Sequence, residues 1–315
     1  MKRENVNVLI CSGGKRADII KEFKNVLGDR GKVLITDAGE LNAGRTFADG
    51  FLKSPRLQNE AYLPFLKKAV QKNKIKLVFS VIDPELLLLA EYQKELEELG
   101  ARVLISPLSS VKITSDKRKT AEFLKKIGIL TPAVFTLPDV KNFPVFIKPY
   151  DGSGSKFVYK ACNAEELAVF AGIAPNPMVM EYIEGQEYTI DCLSDLDGNV
   201  INVIPRKRLE VNNGISVKSE VDLDRKIVDD SIKILEALRA RGPATIQLIK
   251  AAGGKNYFTE LNLRFGGGAM LGIRSGGNFA EKIIKMLGGE NLEFSNDSVK
   301  NGYKMAAYLG HVFYE

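Results

Sequence analysis

Glu260-Leu261-Asn262-Leu263-Arg264, read together with Gln247 upstream, decides how this chain folds and what it can hold. In an extended run, alternate side chains share a face. Glu260, Asn262 and Arg264 therefore line one side, while Leu261, Leu263 and Phe265 point into a core. Gln247 lies in the strand pattern Ala244–Lys250, which pairs with Asn256–Asn262 as a hairpin across Ala252-Gly253-Gly254. The polar side then presents one carboxylate and two amide oxygens. Mg²⁺ is held by a few such oxygens together with substrate phosphates. The guanidinium of Arg264 can neutralise phosphoryl charge on the same face. A solvated polar strand is the plain alternative, but such a face has no need of oxygens paired across a hairpin.

Upstream, Phe143–Lys148 is an apolar strand ending in Lys148-Pro149, followed by the small-residue loop Tyr150-Asp151-Gly152-Ser153-Gly154-Ser155. A cation beside exposed backbone N–H groups suits phosphate; a hairpin linker has the same composition. Phe157–Lys160, Met178–Tyr182, Glu187–Leu193 and Val200–Pro205 are strand patterns, with a hairpin turn at Asp195-Leu196-Asp197-Gly198. Glu165–Ala171, Asp224–Leu238 and Phe279–Leu287 have helical spacing. Hairpins with isolated helices predict an α+β module.

The first 110 residues follow another rhythm. Val6–Cys11, Lys32–Thr36, Leu77–Val81 and Arg102–Ile105 read as strands, and Ala17–Leu27, Tyr62–Gln71 and Pro84–Leu99 as helices. This alternation predicts a parallel sheet with covering helices. Ligands of such sheets bind at the carboxyl ends of the strands, where Ser12–Arg16, Asp37–Arg45 and Ile82–Glu85 fall. Ser12-Gly13-Gly14 lacks the GxGxxG spacing of a dinucleotide fingerprint and reads as a tight turn. Asp83 and Glu85 either meet a small substrate or cap the helix that Pro84 opens. Residues 111–130 read as helical, with Ser115 as N-cap and Gly128 as stop, and Thr131-Pro132 begins an extended connection.

Composition sets the outer limits. The 315 residues are 45% hydrophobic and 27% charged, a globular balance, and the length predicts two or three domains. The net charge of +6 is spread over short, separate basic clusters, so no nucleic-acid partner is expected. No apolar run approaches the roughly 20 residues of a membrane span. Cys11, Cys162 and Cys192 form no CxxC pair, and their odd count points to a reducing cytoplasm. The one histidine, His311, excludes a Ser-His-Asp triad and a multi-histidine metal site, leaving oxygen ligands for any metal.

Residues 115–287 resemble the ATP-grasp superfamily. The entry helix is carried by Asp116-Lys117, Phe123-Leu124 and Gly128-Ile129-Leu130-Thr131-Pro132, and the phosphate-binding strand and loop by Phe146-Ile147-Lys148-Pro149 and Gly152-Ser153-Gly154-Ser155. Met180 to Asp191 is similar to the segment joining the two lobes, and Glu260 to Arg264 to the metal-binding strand. The fold class implied is α/β and α+β. A Rossmann-like preATP-grasp domain covers 1–110, linker helices and the small lobe cover 111–185, and the large lobe with the metal site covers 186–315. Gln247 as the first metal residue is most similar to the carbamoyl-phosphate synthase large-subunit branch. That subunit carries two such units, and this chain holds one.

The resemblance implies ATP with Mg²⁺ as cofactors, two ions being expected and Mn²⁺ a substitute. Lys117 and Lys148 contact ATP phosphates, and Gly152, Ser153, Gly154 and Ser155 close over them. Glu181, Tyr182 and Ile183 hold adenine, and Glu187 the ribose. Gln247, Glu260 and Asn262 hold metal, and Arg264 steadies the transferring phosphoryl group beside Lys148. Arg206-Lys207-Arg208, with Lys207 as its ATP-contacting member, adds charge near the γ-phosphate or belongs to a basic surface. Gly267 and Gly268 offer N–H groups to a substrate carboxylate or turn the chain toward the next helix; Asp83 and Glu85 stand as further substrate residues. The activity implied is a carboxylate–amine ligase acting on small molecules through an acyl phosphate, in a chain free to form a homodimer. A bicarbonate-phosphorylating enzyme and an ATP-binding regulatory protein without turnover are the other readings.

Overall fold

A computed structural model describes residues 5–152, 154 and 156–315. The first sheet is built from β1 (Asn7–Cys11), β2 (Val33–Asp37), β3 (Gly50–Lys53), β4 (Ile75–Ser80) and β5 (Arg102–Val103). Its order is β3-β2-β1-β4-β5, and every pairing is parallel. β1, β2 and β4 are apolar nearly throughout because helices cover both of their faces. The helix Ala17–Leu27 buries Ile19, Ile20, Phe23 and Leu27, the stripe that helical periodicity dictates.

The second half is antiparallel, in two lobes. The small lobe has β6 (Val134–Phe135), β7 (Val145–Pro149), β8 (Tyr159–Ala161) and β9 (Pro177–Glu181), in the order β6-β9-β7-β8. The large lobe has β10 (Gly185–Ser194), β11 (Val200–Asn212), β12 (Ile215–Val221), β13 (Gly242–Ala251), β14 (Asn256–Asn262) and β15 (Lys304–Ala306). Its order is β14-β13-β10-β11-β12-β15. Only Tyr182–Glu184 separate the last small-lobe strand from the first of the large lobe.

The first domain and the large lobe share apolar cores. Phe265, just past β14, meets Phe79 of β4 at 5.7 Å between ring centroids and Phe23 at 6.5 Å. Burying one such ring contributes about 1.5–3 kcal/mol. The small lobe instead keeps its own clusters, one around Val145, Ile147, Ala161, Leu167 and Val179 and one around Ala121, Met178 and Met180.

Some local expectations change. The helix expected over Pro84–Leu99 is two, Asp83–Glu91 and Gln93–Glu97. The helical stretch over 111–130 is Leu108–Thr114 followed by Lys117–Lys126. Asp116, not Ser115, caps the second: its carboxylate accepts the Arg118 N–H at 2.9 Å. β11 runs seven residues past Pro205, and β3, β12 and β15 are additions. No helix among the described residues is long and apolar enough to cross a membrane.

Candidate active site

The site is one row of the large sheet. Arg206 of β11 lies opposite Thr189 of β10, Thr189 opposite Gln247 of β13, and Gln247 opposite Glu260 of β14. Cross-strand partners share a face, so all four point to one side. Alternation adds Asn262, whose amide donates to Glu260 Oε1 at 3.1 Å, and Arg208, whose guanidinium is 2.8 Å from the Glu187 carboxylate.

Cations from two elements of the smaller half close over this row. The Lys148 ammonium, 8% exposed, donates to the Thr259 carbonyl at 3.2 Å. The Lys117 ammonium donates to the Gly152 carbonyl at 2.5 Å, so the lysine is anchored where the glycine–serine loop begins. Gly154 adopts φ +72°, a conformation open to glycine; Ser153 and Ser155 lie outside the described residues. Burial pushes the Glu260 carboxyl up, but Lys117, Lys148, Asn262 and Arg264 outweigh it and hold the group below its usual range. Burial pulls the Lys148 ammonium down to about 8, with Glu260 opposing and Lys117 adding to the fall.

The donor set fits magnesium carried by a polyphosphate. Among the described residues no three His, Cys, Asp or Glu side chains cluster closely enough to hold a metal. Glu260 is thus the one carboxylate among amides, and phosphate oxygens must complete any Mg²⁺ shell. In the joining segment, the Glu181 N–H donates to Ala133 O at 2.8 Å and its carboxylate accepts the Ala133 N–H at 3.1 Å. Tyr182 lies under the Lys160 ammonium at 4.2 Å, and Ile183 is partly buried. Glu187 is half exposed, on the same face as Gln247.

Five expected residues, Lys207, Glu85, Asp83, Gly267 and Gly268, have surroundings that the sequence did not show. Lys207 does not face the row: period-two alternation turns it to the opposite side, where it pairs with Asp222 at 3.0 Å. Glu85 neither caps its helix nor reaches solvent. Its carboxylate is fully buried and accepts from Ser80 Oγ at 2.5 Å, Ser12 Oγ at 2.9 Å and the Tyr62 hydroxyl. Burial raises its pKa and those three hydroxyls oppose the rise. Asp83 turns toward the large lobe, its Oδ2 being 2.5 Å from Arg264 Nη2. Gly268 is buried with Arg206 packed against it, while Gly267 is exposed.

Arg206 was expected only as one member of the basic triplet. It is 2% exposed, paired with Asp191 at 2.8 Å and donating to Ser219 Oγ at 3.2 Å. A Cβ on Gly268 would fall 2.9 Å from its Nη2. The overlooked signal is Asp191, which shares a face with Glu187 and Thr189 and faces the arginine strand. Burial raises the Asp191 pKa, and Arg206 opposes it.

This architecture coincides with a known family. Residues 8–104 match the family described as PylC-like, N-terminal domain, and residues 174–308 match ATP-grasp in the biosynthetic pathway with Ter operon. Residues 174–308 are thus similar to ATP-grasp proteins. The chain is 30% identical over 234 residues to the carbamoyl phosphate synthase large chain of Saccharolobus solfataricus, covering 65% of this chain and 22% of that one. It is 28% identical over 182 residues to D-alanine--D-alanine ligase of Fusobacterium nucleatum subsp. nucleatum, covering 54% and 63%. It thus spans less than two thirds of either relative. The crystal structure of L-amino acid ligase from Bacillus licheniformis superposes with a TM-score of 0.73 over 93% of this chain and 76% of that one, at 21% identity.

Proposed function

We propose that this protein is an ADP-forming ATP-grasp ligase that joins a small carboxylic acid to an amine through an acyl phosphate. The observation that carries the reading is the Gln247–Glu260 pair, with Asn262 beside it and the Lys148 ammonium over the same strand.

A carboxylate resists attack because its charge repels nucleophiles and its oxygen leaves poorly. Phosphorylation removes both obstacles. The protein's task is then to position the reactants and neutralise charge. Lys148 and Lys117 hold the polyphosphate, and the Tyr182–Glu184 segment between the lobes receives the base. Gln247, Glu260 and Asn262 hold Mg²⁺, which when bound screens the negative charge of the phosphates. Arg264 faces the developing charge on the transferred group. Its Nη2 is fixed by Asp83, its Nη1 donates to Phe265 O at 3.1 Å, and its Nε is buried with no partner among the described residues. A phosphoryl or acyl oxygen would satisfy that donor. Gly267 and Gly268 lie beyond Arg264, where a substrate carboxylate would sit. No covalent enzyme intermediate is required.

The test is ADP release measured with pooled amino acids, small carboxylates and amines, with bicarbonate plus ammonia as a separate arm. Glu260→Ala should abolish release while leaving the circular dichroism spectrum intact. Substantial residual turnover in that variant would defeat the site assignment, and stimulation by bicarbonate and ammonia alone would replace the amide product with a carbamoyl one.

A further inference from the structure

We infer that Asp83 forms the amine subsite of the ligase proposed above, receiving the nucleophile as an ammonium ion beside Arg264. Five carboxylates stand at or just beyond the carboxyl ends of the parallel strands: Asp18, Asp37, Glu40, Asp83 and Glu85, of which Glu40 is taken by Lys53 at 2.9 Å. Asp18 is taken by Arg16 through two hydrogen bonds of 3.0 Å. Asp37 accepts the Gly14 and Gly39 N–H groups at 3.1 and 2.9 Å. Glu85 is sealed beneath three hydroxyls. Asp83 is the one among these that reaches the large lobe, and its side chain remains 28% exposed.

The electrostatics of the cleft call for such a group. Lys117, Lys148, Arg208 and Arg264 all act on Glu260 or are acted on by it, so the cleft is strongly cationic. That suits polyphosphate and a carboxylate but repels an amine, which is protonated at neutral pH. A carboxylate at the cationic edge offsets the repulsion and offers a charge-assisted hydrogen bond. Asp83 contacts the same guanidinium that faces the transferred group, which places an amine on Asp83 next to the acyl carbon. The ammonium gives one proton to the Asp83 carboxylate. The freed nitrogen lone pair forms the C–N bond, the C–O bond to phosphate breaks with its electron pair leaving on the phosphate, and the nitrogen passes its second proton to that phosphate.

Hydroxylamine separates this role from the others, because it is largely uncharged at neutral pH and attacks acyl phosphates without an ammonium site. ADP release is measured with the carboxylate pool plus either hydroxylamine or a mixture of ammonium chloride and amino acids. In Asp83→Asn, amine-dependent release should fall about ten- to a hundredfold, as for loss of a hydrogen bond to a charged group. Hydroxylamine-dependent release shares the loss of the Arg264 anchor, so it should fall by a factor at least about fivefold smaller than amine-dependent release does. Asp83→Glu, which keeps the charge, should recover part of the amine-dependent rate. Equal loss with both nucleophiles would mean that Asp83 serves only to orient Arg264, and no loss with either would remove it from the reaction; each result overturns the inference. Absence of hydroxylamine-dependent release from the wild-type protein would instead reject the ligase reading, and this inference with it.

Discussion

Replacing Lys148 with methionine should make the apoprotein more stable while destroying its hold on nucleotide. The ammonium is buried, and its pKa falls from 10.5 to about 8 because burial outweighs the attraction of Glu260. Every tenfold loss of proton affinity corresponds to ~1.4 kcal/mol. Keeping the charge at pH 7 therefore costs on the order of 3 kcal/mol. Lys148→Met removes that charge at similar side-chain length, so the unfolding free energy should rise by ~2–3 kcal/mol at pH 7. The folded pKa lies below the unfolded one. The cost is thus fully present below about pH 8 and fades as the pH climbs toward 10.5, where the unfolded lysine also sheds its proton. Urea unfolding of both proteins at pH 7 and at pH 10.5, followed by circular dichroism, reads the difference. A less stable variant at pH 7, or a gap of unchanged size at the higher pH, would refute the reasoning. Binding of a non-hydrolysable ATP analogue should be lost at either pH.

Three further outcomes follow from the same geometry. Gly268→Ala places a Cβ 2.9 Å from Arg206 Nη2, and that guanidinium is pinned by Asp191 and Ser219. Thermal unfolding should show a loss of about 1–3 kcal/mol, whereas an unchanged midpoint would mean the loop gives way. Phe265→Ala empties the ring site between Phe23 and Phe79 and should cost about 3–5 kcal/mol in urea unfolding; a cost under about 1 kcal/mol would deny that this ring joins the two halves. Because Glu260 is the lone carboxylate of its set, Mg²⁺ alone should give no binding heat at ~1 mM, while Mg²⁺ with a non-hydrolysable ATP analogue should. Tight binding of the bare ion would contradict the shared-ligand arrangement.

The pairing of β14 with β13 was legible because its alternation is strict: Glu260 and Asn262 on one face, Leu261 and Leu263 on the other, with Gln247 opposite across a short turn. The parallel domain was legible for a similar reason, since β1, β2 and β4 are apolar runs separated by helical spacing. The basic triplet was not. Three consecutive cations carry no amphipathic signal, and only pairing with β10 shows that Arg206 and Arg208 face the row while Lys207 turns away. Glu85 misled because Pro84 marks a helix start, whereas its three hydroxyl partners come from Ser12, Tyr62 and Ser80 on separate elements. β12 escaped because Leu209, Val211 and Ile215 around its hairpin are exposed and leave no apolar face to read. Its turn did carry a signal: Asn213 and Gly214 both take positive φ, the Asn-Gly pair favoured in two-residue hairpins.

The separate apolar clusters of the small lobe bear on how the cleft opens. Swinging the four-stranded sheet away uncovers little continuous hydrophobic surface, because the apolar link to the large lobe is made by Leu124 and Ile129 of the preceding segment and not by the sheet's own clusters. Polar links such as Lys148 to Thr259 and Phe258 N–H to Leu130 O bridge the gap instead. Water competes well for such links. A nucleotide lodged between the lobes would act as their shared core, and cleft width would become a readout of occupancy, visible as a contraction in solution scattering when the analogue is added.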